Sequence, residues 1–380
     1  MKILILSNYY PPYYIGGYEL ACFDTVQYLE KSGHEVHVLT GNYKEESTSF
    51  EKVYRKLKYI DYKDPSYFDK NVVEEFNYEI TQDVIKKVKP DLVYIWSLRL
   101  VSLSPIWAVE KEQIKKVFEI GDFWMKGFLS KSFMSKLKRG AKQLLPGFKA
   151  VDIKIDPIIS VSKWMIPEMK ESYGSENIFQ IPNGTKITEK KSLKSKELMR
   201  YMFCGRLDYS KGLDLALKAL SNLRDRKIYD FEFHIYGDGD KDYIDKCKKM
   251  LEVLCLTNHV IFHGKVDNLE EAYKKNHVLL MPTRMREPFG LVLIEAMNYG
   301  VVGIAPDDFG PAEIIDDSKN GLLFTPSCVE DLTFKILLLH NSWDLLEKYR
   351  TNAYEKVKNK FDINIVKKQV EDVLLKITRV

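Results

Sequence analysis

The sequence predicts an α/β protein with two doubly wound units in one chain of 380 residues. Short apolar runs alternate with segments of helical spacing in the first half, and the same alternation begins again near Met202. Alternating strands and helices favour a parallel sheet with helices on both faces. The length corresponds to two domains of ordinary size, each large enough to bury its own core.

The amino-terminal half begins with a strand, a loop, a helix and a second strand. Lys2–Ser7 is an apolar run, and a loop rich in Tyr, Pro and Gly follows through Gly17. Apolar residues recur at helical spacing from Tyr18 to Lys31, and Gly33 ends this helix. Later elements are predicted at Glu35–Thr40, Asn71–Val88, Leu92–Trp96, Lys116–Ile120 and Ile158–Val161. This order predicts the first doubly wound unit.

The carboxyl-terminal half repeats the arrangement. Strands are predicted at Tyr201–Cys204, Asp230–Tyr236, Val260–His263, Val278–Met281, Val301–Ala305 and Leu322–Phe324, and helices at Gly212–Leu223 and Asp242–Leu256. The turn dipeptide Asn183-Gly184 and the Lys-rich stretch 190–196 indicate the join. We therefore expect one domain at 1–182 and another at 183–360. The last helix, 361–380, carries an apolar stripe that requires a partner surface.

Composition excludes several classes of protein. The net charge of +4 and the sequence pI near 8.5 are too mild to indicate nucleic-acid binding. The five cysteines are scattered and form no C-x-x-C pair, which fits reduced thiols, no structural zinc and a cytoplasmic location. No apolar run approaches the roughly 18 residues of a membrane span, and the apolar run at the amino terminus is too short for a signal peptide.

Two glutamates flank a Pro-Phe-Gly sequence at the predicted start of an apolar helix. They are Glu287 and Glu295, in an E-x7-E pattern, and Pro288 suits a first helical position. We expect Glu287 in the loop, the residues 289–291 opening the helix, and Glu295 near the end of its second turn. Unpaired amides at a helix start bind anions. A nucleotide sugar would fit between the two carboxylates.

A short loop with two cations follows the strand predicted at Tyr201–Cys204. It runs from Gly205 to Gly212 in a G-R-x4-K-G pattern and carries Arg206 and Lys211. A departing diphosphate needs positive charge, which the planar Arg fork and the mobile Lys ammonium provide in different ways. The loop therefore predicts a diphosphate site.

Together these motifs resemble the signature of the family 4 retaining glycosyltransferases, and the resemblance covers nearly the whole chain. It implies the glycosyltransferase B fold, in which two Rossmann-like domains face a cleft and the final helix crosses back to the first domain. The first domain would bind the acceptor and the second the nucleotide-sugar donor. The implied activity is retaining transfer of a hexose-type sugar to an acceptor hydroxyl, in assembly of a cell-surface polysaccharide or glycolipid.

The resemblance also implies roles for the site residues. Glu287 would hold the sugar hydroxyls and the developing positive charge, while Arg206 and Lys211 stabilise the diphosphate. The implied donor-binding set is Glu295 on the ribose, Phe289, Gly290, Leu291, Gly237, Val266, Asn183, Gly16 and Gly17. Double displacement needs two carboxylates about 5–5.5 Å apart. Because Glu287 and Glu295 are too far apart for that, the leaving phosphate would take the acceptor proton.

No metal or other cofactor is implied, because the B fold uses cationic side chains in place of a metal ion. Asp238 and Asp240 mimic the D-x-D metal motif of a different glycosyltransferase fold, which we interpret as a coincidence. None of the seven histidines falls in a metal-binding or triad arrangement. The partners implied are a nucleotide sugar and a lipid-linked or glycan acceptor.

One position departs from the family pattern. Gly121 stands where many relatives have a histidine before an aspartate, and Asp122 remains as an acceptor-side contact. In relatives that histidine approaches the C6 end of the donor sugar. A donor with a different C6 group, such as a 6-deoxy sugar, is therefore one interpretation.

Residues 126–149 form a candidate membrane face in the first domain. Lys and Arg alternate with apolar residues there, without any Asp or Glu. A basic amphipathic segment can lie on an anionic membrane, where each cation contributes about 1 kcal/mol. The enzyme would then be peripheral on the inner face of the membrane. A solvated helix that packs its apolar side inward is the other interpretation.

Two further functions remain compatible with the sequence. One is another enzyme of the same shape, either a nucleotide-sugar epimerase or a synthase of a small soluble glycoside. An epimerase needs no acceptor, so products formed without acceptor would distinguish it. The other is an inactive sugar-nucleotide sensor, for which the full set of charged site residues would be unnecessary. The nucleotide base, the sugar, the acceptor, the linkage and the oligomeric state are not specified by the sequence.

Overall fold

The structure, a computed structural model, describes residues 1–43, 52–60, 67–126, 153–189 and 198–379. The chain forms two compact units. The first consists of Met1–Pro182 and Lys367–Val380, and the second of Asn183–Val366. Apart from Lys126, the candidate membrane face lies outside the described residues, as does the Lys-rich stretch 190–196.

A seven-stranded parallel sheet forms the centre of the first unit. Its strands are β1 (Lys2–Ser7), β2 (Glu35–Gly41), β3 (Val53–Leu57), β4 (Leu92–Ile95), β5 (Lys116–Ile120), β6 (Ile158–Ser160) and β7 (Ile178–Gln180). They lie in the order β3-β2-β1-β4-β5-β6-β7, and every adjacent pair is parallel. The described helices of residues 1–182 are α1 (Gly17–Lys31), α2 (Tyr67–Val88), α3 (Ser104–Lys111) and α4 (Ile166–Tyr173).

The second unit has a six-stranded parallel sheet. Its strands are β8 (Met199–Cys204), β9 (Phe231–Tyr236), β10 (Val260–Gly264), β11 (Val278–Leu280), β12 (Val302–Pro306) and β13 (Gly321–Phe324). Their order is β10-β9-β8-β11-β12-β13. The helices are α5 (Leu213–Asp225), α6 (Lys241–Val253), α7 (Glu270–Lys275), α8 (Leu291–Asn298), α9 (Phe309–Ile314), α10 (Val329–His340) and α11 (Trp343–Lys356). A 3₁₀ turn, Tyr209–Lys211, precedes α5, and a π-helical turn, Val357–Phe361, follows α11.

The final helix, α12 (Ile363–Arg379), packs on the first unit over most of its length. Leu374 is fully buried there, and Glu371 bonds His34 at 2.9 Å. Lys115 donates to the carbonyl of Thr378 at 2.9 Å. The amphipathic stripe therefore finds the partner surface that the sequence requires, and the predicted return of this helix is confirmed.

A buried carboxyl in the first unit faces this final helix. Glu119, on β5, accepts a hydrogen bond from the Tyr94 hydroxyl. Burial raises the pKa of Glu119 to about 7, although the Tyr94 bond and the charge of Lys367 oppose the shift. Lys367, on α12, is itself buried and donates to the carbonyl of Ala21 at 3.3 Å. The Glu119 carboxyl and the Lys367 ammonium, which are far apart in the sequence, therefore interact in the interior of the first unit.

The predicted fold class, two doubly wound units with parallel sheets, is confirmed. Strands β1 and β5 have the predicted bounds, and the other predicted strands differ at their ends by one or two residues. Strands β3 and β7 were not predicted. Both lie at edges of the first sheet. In the described part of the chain, no helix combines the length and the apolar character that a membrane crossing requires.

Candidate active site

Two loops of the second unit meet at the carboxyl edge of its sheet. The strand order reverses between β8 and β11, which is the switch point where doubly wound sheets bind ligands. The loop after β8 carries Arg206 and Lys211, and the loop after β11 carries Glu287. A Cβ at Gly212 would lie 2.0 Å from the carbonyl oxygen of Pro282, and Gly212 has φ +73°. Glycine therefore allows the direct contact between these loops.

Lys211 and Glu287 form an ion pair where the loops meet. The Lys211 Nζ lies 2.6 Å from the Glu287 Oε2, and the side chains are only 22% and 15% exposed. Lys211 is the last residue of the 3₁₀ turn, which is capped by Asp208 through the amide of Ser210 at 2.8 Å. The carbonyl of Glu287 accepts from the Gly310 amide at 3.0 Å, which fixes the second loop. The pair is therefore held by backbone on both sides.

A second ion pair, missed by the sequence reasoning, fastens the same loops together. Arg284 donates from both terminal nitrogens to Asp214, at 2.8 and 2.7 Å, and also to the carbonyl of Tyr209 at 2.9 Å. The Arg284 amide donates to the carbonyl of Ser210 at 2.7 Å. Burial alone would raise the pKa of Asp214, but hydrogen bonds from Arg284 and Tyr243 lower it. No motif marks this pair, because its members come from separate elements.

Replacing Arg284 with Ala should destabilise the second unit by about 3 kcal/mol, because it leaves the Asp214 carboxylate without its cation. The two side chains are only 16% and 11% exposed. Urea denaturation measures the loss. Arg200→Ala, which breaks the more exposed pair with Glu232, is the matched control and should cost under about 1 kcal/mol. Equal losses in the two variants would contradict this account.

Arg206 lies in the same loop but in a different environment. Its side chain is 66% exposed, and its Nε donates to Asp208. The loop begins at Gly205, whose φ of +148° favours glycine. Because Arg206 has further donors beyond Nε, its exposed guanidinium can still bind an anion. It does not contact the Lys211–Glu287 pair in any hydrogen bond found among the described residues.

Glu295 lies on α8 and accepts a hydrogen bond from the Tyr273 hydroxyl at 2.9 Å. Burial raises the pKa of Glu295, and the Tyr273 bond only partly offsets this. The pKa of the Cys204 thiol is raised to about 12, chiefly by burial, with the charge of Glu295 adding to the shift and that of Lys211 opposing it. Both charges act on this one thiol at the end of β8. Glu295 and Lys211 therefore both lie near the Cys204 thiol.

The helix after Glu287 begins later than the sequence predicted. We expected residues 289–291 to open it, whereas α8 begins at Leu291. Gly290 has a left-handed backbone with φ +108°, so it lies outside the helix. Phe289 is buried against Phe361, with ring centroids 5.8 Å apart. Glu295 is therefore about one turn into the helix, nearer its start than expected.

Three other predicted donor residues lie around the second unit. A Cβ at Gly237 would approach the Gly205 carbonyl oxygen to 1.9 Å, so contact between the loops after β8 and β9 already requires glycine there. Val266 is half-buried in the loop after β10. Asn183 begins the unit, beside Gly184, whose Cβ would lie 2.9 Å from the Cα of Ile363. Close backbone packing explains why Gly237 and Gly184 are glycines, so neither glycine by itself indicates a ligand site.

The remaining predicted residues lie in the first unit. Gly16 is the N-cap of α1 and Gly17 begins the helix, and the Gly16 amide donates to Glu19 at 3.1 Å. Asp122 accepts two bonds from one terminal nitrogen of Arg99, at 2.9 and 2.8 Å. These residues line one cavity with Asn8, Tyr9, Ile15, Tyr18, Ser97, Leu100 and Trp124.

Gly121 has a steric explanation in the structure. A Cβ there would lie 2.6 Å from a ring carbon of Tyr18. The Tyr18 hydroxyl donates to the carbonyl of Glu119 at 2.6 Å, and its ring packs on Trp96 at 5.0 Å between centroids. Tyr18 therefore occupies the space into which a side chain at position 121 would extend.

The Asp238 and Asp240 carboxylates have local structural roles. Asp240 caps α6 by accepting from the Tyr243 amide at 2.9 Å, and Asp238 accepts from the Gly239 amide at 2.8 Å. Among the residues that the structure describes, no group of three or more His, Cys, Asp or Glu side chains is arranged to hold a metal ion.

Two family models together match residues 15–356. Residues 15–189 match Glycosyltransferase Family 4, and residues 185–356 match Glycosyl transferases group 1. The chain belongs to glycosyltransferase family 4. It is therefore a glycosyltransferase that transfers sugars from nucleotide sugars, and its units have the glycosyltransferase B fold. The predicted family, fold and enzyme class are confirmed.

Relatives of this glycosyltransferase share modest sequence identity. An uncharacterized glycosyltransferase of Methanocaldococcus jannaschii is 23% identical over 98% of this chain and 97% of its own length. The poly(ribitol-phosphate) alpha-N-acetylglucosaminyltransferase of Staphylococcus aureus is 29% identical over 55% of this chain and 41% of its own. The Anabaena protein HepE, solved in complex with UDP-glucose, matches with a TM-score of 0.70 and 19% identity, over 99% of this chain and 100% of that chain.

Proposed function

We propose that this glycosyltransferase moves a hexose-type sugar, with retention, from a nucleotide diphosphate sugar to an acceptor hydroxyl. The reaction would serve assembly of a cell-surface polysaccharide or glycolipid. The Lys211–Glu287 pair at the switch point of the second sheet carries this proposal. Support for the substrates comes from the relatives, since one acts on poly(ribitol-phosphate) and another binds UDP-glucose.

The pair suits the junction between sugar and diphosphate. A Lys ammonium has three donors, and Lys211 uses one of them on Glu287. The others remain for oxygens of the leaving diphosphate, while the second oxygen of Glu287 remains for a sugar hydroxyl. Negative charge on the leaving group and positive charge on the sugar both grow as the bond breaks. A cation and an anion held side by side would stabilise both.

The other donor contacts extend from this junction. Arg206, exposed beside it, would bind the diphosphate through its free donors. The amides at the start of α8 would donate hydrogen bonds to a phosphate oxygen beside Gly290. Glu295, whose second oxygen is not bonded to Tyr273, would accept from a ribose hydroxyl. These contacts would order the donor along the carboxyl edge of the sheet.

Retention would follow without a covalent enzyme intermediate. Glu287 would hold a sugar hydroxyl beside Lys211, and Glu295 would hold the ribose beside Tyr273, so neither carboxylate is assigned to attack the anomeric carbon. The bond from the anomeric carbon to the phosphate oxygen breaks, and a bond to the acceptor oxygen forms on the same face. The acceptor proton moves to the departing phosphate oxygen, and the nucleoside diphosphate leaves.

A panel of UDP-, GDP-, ADP- and dTDP-sugars tests the donor class. We expect one nucleotide class to raise the melting temperature, because a ligand at 100 times its dissociation constant adds about 2.7 kcal/mol of stability. The anomeric configuration of the transferred sugar, read by NMR, then tests retention. No stabilisation by any nucleotide sugar would refute the proposal. Products formed without acceptor would instead indicate an epimerase.

We also propose that the enzyme acts at the cytoplasmic face of a membrane. Residues 126–149 support this through sequence alone, because cations alternate with apolar residues there. A lipid-linked acceptor would then be within reach. Sedimentation with anionic vesicles at low salt tests the idea, and the absence of binding would exclude it.

A further inference from the structure

Tyr273 contacts the carboxylate that is expected to bind the ribose of the donor. It lies on α7 and is 3% exposed, and its hydroxyl donates to the Oε2 of Glu295 at 2.9 Å. Helix α7 precedes β11 and α8 follows it, so this bond joins two helices that are separated by a strand in the sequence. The E-x7-E pattern does not include Tyr273, so its place in the site is visible only in the structure.

Several contacts fix the position of the Tyr273 hydroxyl. The Tyr273 ring stacks on the ring of Tyr299, with centroids 5.5 Å apart and planes 22° from parallel. The Cys204 sulfur lies 3.9 Å from the hydroxyl oxygen. The Tyr273 amide donates to the carbonyl of Leu269 at 2.8 Å. Contacts to the ring, the hydroxyl and the backbone therefore fix the point from which the hydroxyl donates.

A fixed hydroxyl orders the carboxylate that accepts its bond. A Glu side chain has several rotamers, and ordering it on ligand binding costs free energy. Because Tyr273 already holds one oxygen of Glu295, part of this cost does not oppose binding. The other oxygen, Oε1, then remains to accept from the ligand. The Tyr273 hydroxyl therefore prepares Glu295 for a hydrogen-bond donor.

The partner of Glu295 is neutral, unlike that of Glu287. Lys211 neutralises Glu287 through an ion pair, whereas the Tyr273 hydroxyl stabilises the charge of Glu295 without cancelling it. Burial raises the pKa of Glu295, and the bond from Tyr273 opposes this shift. A charged carboxylate accepts stronger hydrogen bonds than a neutral carboxyl does. Tyr273 therefore favours the form of Glu295 that binds sugar hydroxyls best.

Among the described residues, Cys204 and Tyr299 also interact electrostatically with Glu295, and both are neutral near pH 7. The pKa of the Cys204 thiol is raised to about 12, chiefly by burial. Burial is also the largest cause of the raised pKa of Tyr299, which follows α8. Lys211, whose charge reaches the Cys204 thiol, is paired with Glu287. These groups therefore leave the negative charge of the Glu295 carboxylate in place.

We propose that Tyr273 is a positioning residue of the donor site, whose hydroxyl aims the Glu295 carboxylate at the ribose and so sets a preference for ribonucleotides over 2′-deoxyribonucleotides. The inference rests on the proposed donor site and adds the residue through which Glu295 is held. The 2′-hydroxyl of a ribose can donate to the carboxylate, and a 2′-deoxyribose lacks this donor. A site built to bond a hydroxyl discriminates against a ligand without it, because its own polar group is then left unpaired.

Binding of UDP, GDP and ADP and of their 2′-deoxy counterparts, measured by calorimetry on the full chain, tests the proposal. We expect the wild type to bind at least one ribonucleotide about tenfold more tightly than its 2′-deoxy counterpart. Tyr273→Phe keeps the ring but removes the hydroxyl. It should weaken ribonucleotide binding about tenfold and reduce the preference to under about threefold. As the pH falls, this variant should lose affinity at a higher pH than the wild type, because the bond that favours the charged carboxylate is gone.

Tyr354→Phe is the matched control. It removes a hydroxyl on α11 that donates to the carbonyl of Thr188 at 2.9 Å, outside the site loops, and it should change the affinity less than about twofold. Glu295→Gln is the second variant. In its background Tyr273→Phe should have less than about a twofold further effect, because the hydroxyl acts through the carboxylate. With the natural donor, Tyr273→Phe should raise KM and leave kcat within about threefold, since the ribose is remote from the bond that breaks.

The outcomes separate this inference from the proposed function. Equal weakening of ribonucleotides and deoxyribonucleotides in Tyr273→Phe would reveal a merely structural role, and an unchanged affinity and pH profile would reveal none. Either result overturns the inference while the donor chemistry stands, and so does stabilisation by dTDP-sugars alone. The preference of the wild type needs no variant, and its absence also overturns the inference. If the wild type binds no nucleotide at all, the proposed function fails and the inference fails with it.

Discussion

Replacing Lys211 with Ala should lower kcat by about 10²–10³-fold, the usual cost of losing one preorganised donor to a developing charge. The structure gives two reasons for a large effect. Lys211 is mostly buried at the loop junction, so its charge is poorly screened, and its removal leaves Glu287 without a cation. The loss should fall on kcat, because the leaving-group charge is greatest in the transition state. Steady-state kinetics with the natural donor measures it.

Lys335→Ala is the matched control for this variant. Lys335 is a lysine of the second unit with a side chain 16% exposed, and it pairs with Asp317 at 3.9 Å. Its removal should leave kcat within about twofold of wild type, because Lys335 lies on α10 and pairs with Asp317 outside the two site loops. Unchanged melting temperature in both variants would show that the fold survives. Full turnover in Lys211→Ala would refute the assigned role.

Replacing Glu287 with Gln should lower kcat by about 10²-fold, because it removes the negative charge that faces the developing positive charge on the sugar. The amide keeps the size of the side chain and can still accept a hydrogen bond, so the change isolates charge. Glu232→Gln, at a half-buried carboxylate paired with Arg200, is the control and should leave kcat near wild type.

The double variant Lys211→Ala, Glu287→Gln tests whether the two groups act as a unit. Residues in direct contact show coupling of about 0.5–3 kcal/mol. Since the ammonium and the carboxylate lie 2.6 Å apart, we expect the double loss to be smaller than the product of the single losses. Losses that multiply would show independent roles and contradict the joint stabilisation proposed here.

The fold could be predicted largely because most of its strands are continuous apolar runs. β1 and β5 are each covered on both faces, which gives an unmistakable pattern. β3 contains Tyr54, Arg55 and Lys56 and lies at one edge, and β7 is a short strand at the other. Edge strands are half solvated, so their composition resembles that of loops. Both missed strands are therefore edge strands of the first sheet with few fully buried residues.

The sequence predicted which loops form the candidate site, but it did not predict the contacts between their side chains. The motifs locate Arg206, Lys211 and Glu287 because glycine and charge recur there in the family's order. They give no sign of Arg284 and Asp214, which fasten the loops but come from separate elements. Contacts between residues that are distant in the chain produce no periodic pattern in the sequence.

The interpretation of Gly121 shows a related limit. From the sequence, its missing side chain suggested a changed donor contact. The structure shows that Tyr18, far away in the sequence, fills the adjacent space. A large side chain at one position, here Tyr18, can occupy the space beside a missing side chain at another, here Gly121. The sequence does not show this, because it does not show that the two positions are neighbours. The donor's C6 group is therefore not specified by the glycine.

The return of α12 has a consequence for biosynthesis. A ribosome releases the chain from its amino end, and domains usually fold in that order. Here the first unit needs Lys367, Glu371 and Leu374, which emerge only after the second unit, to cover its interior. A nascent chain that stalls within the second unit therefore leaves both units unfinished. Messages truncated before the codons of α12 should yield products that proteases can recognise, so a stable enzyme requires translation through α12.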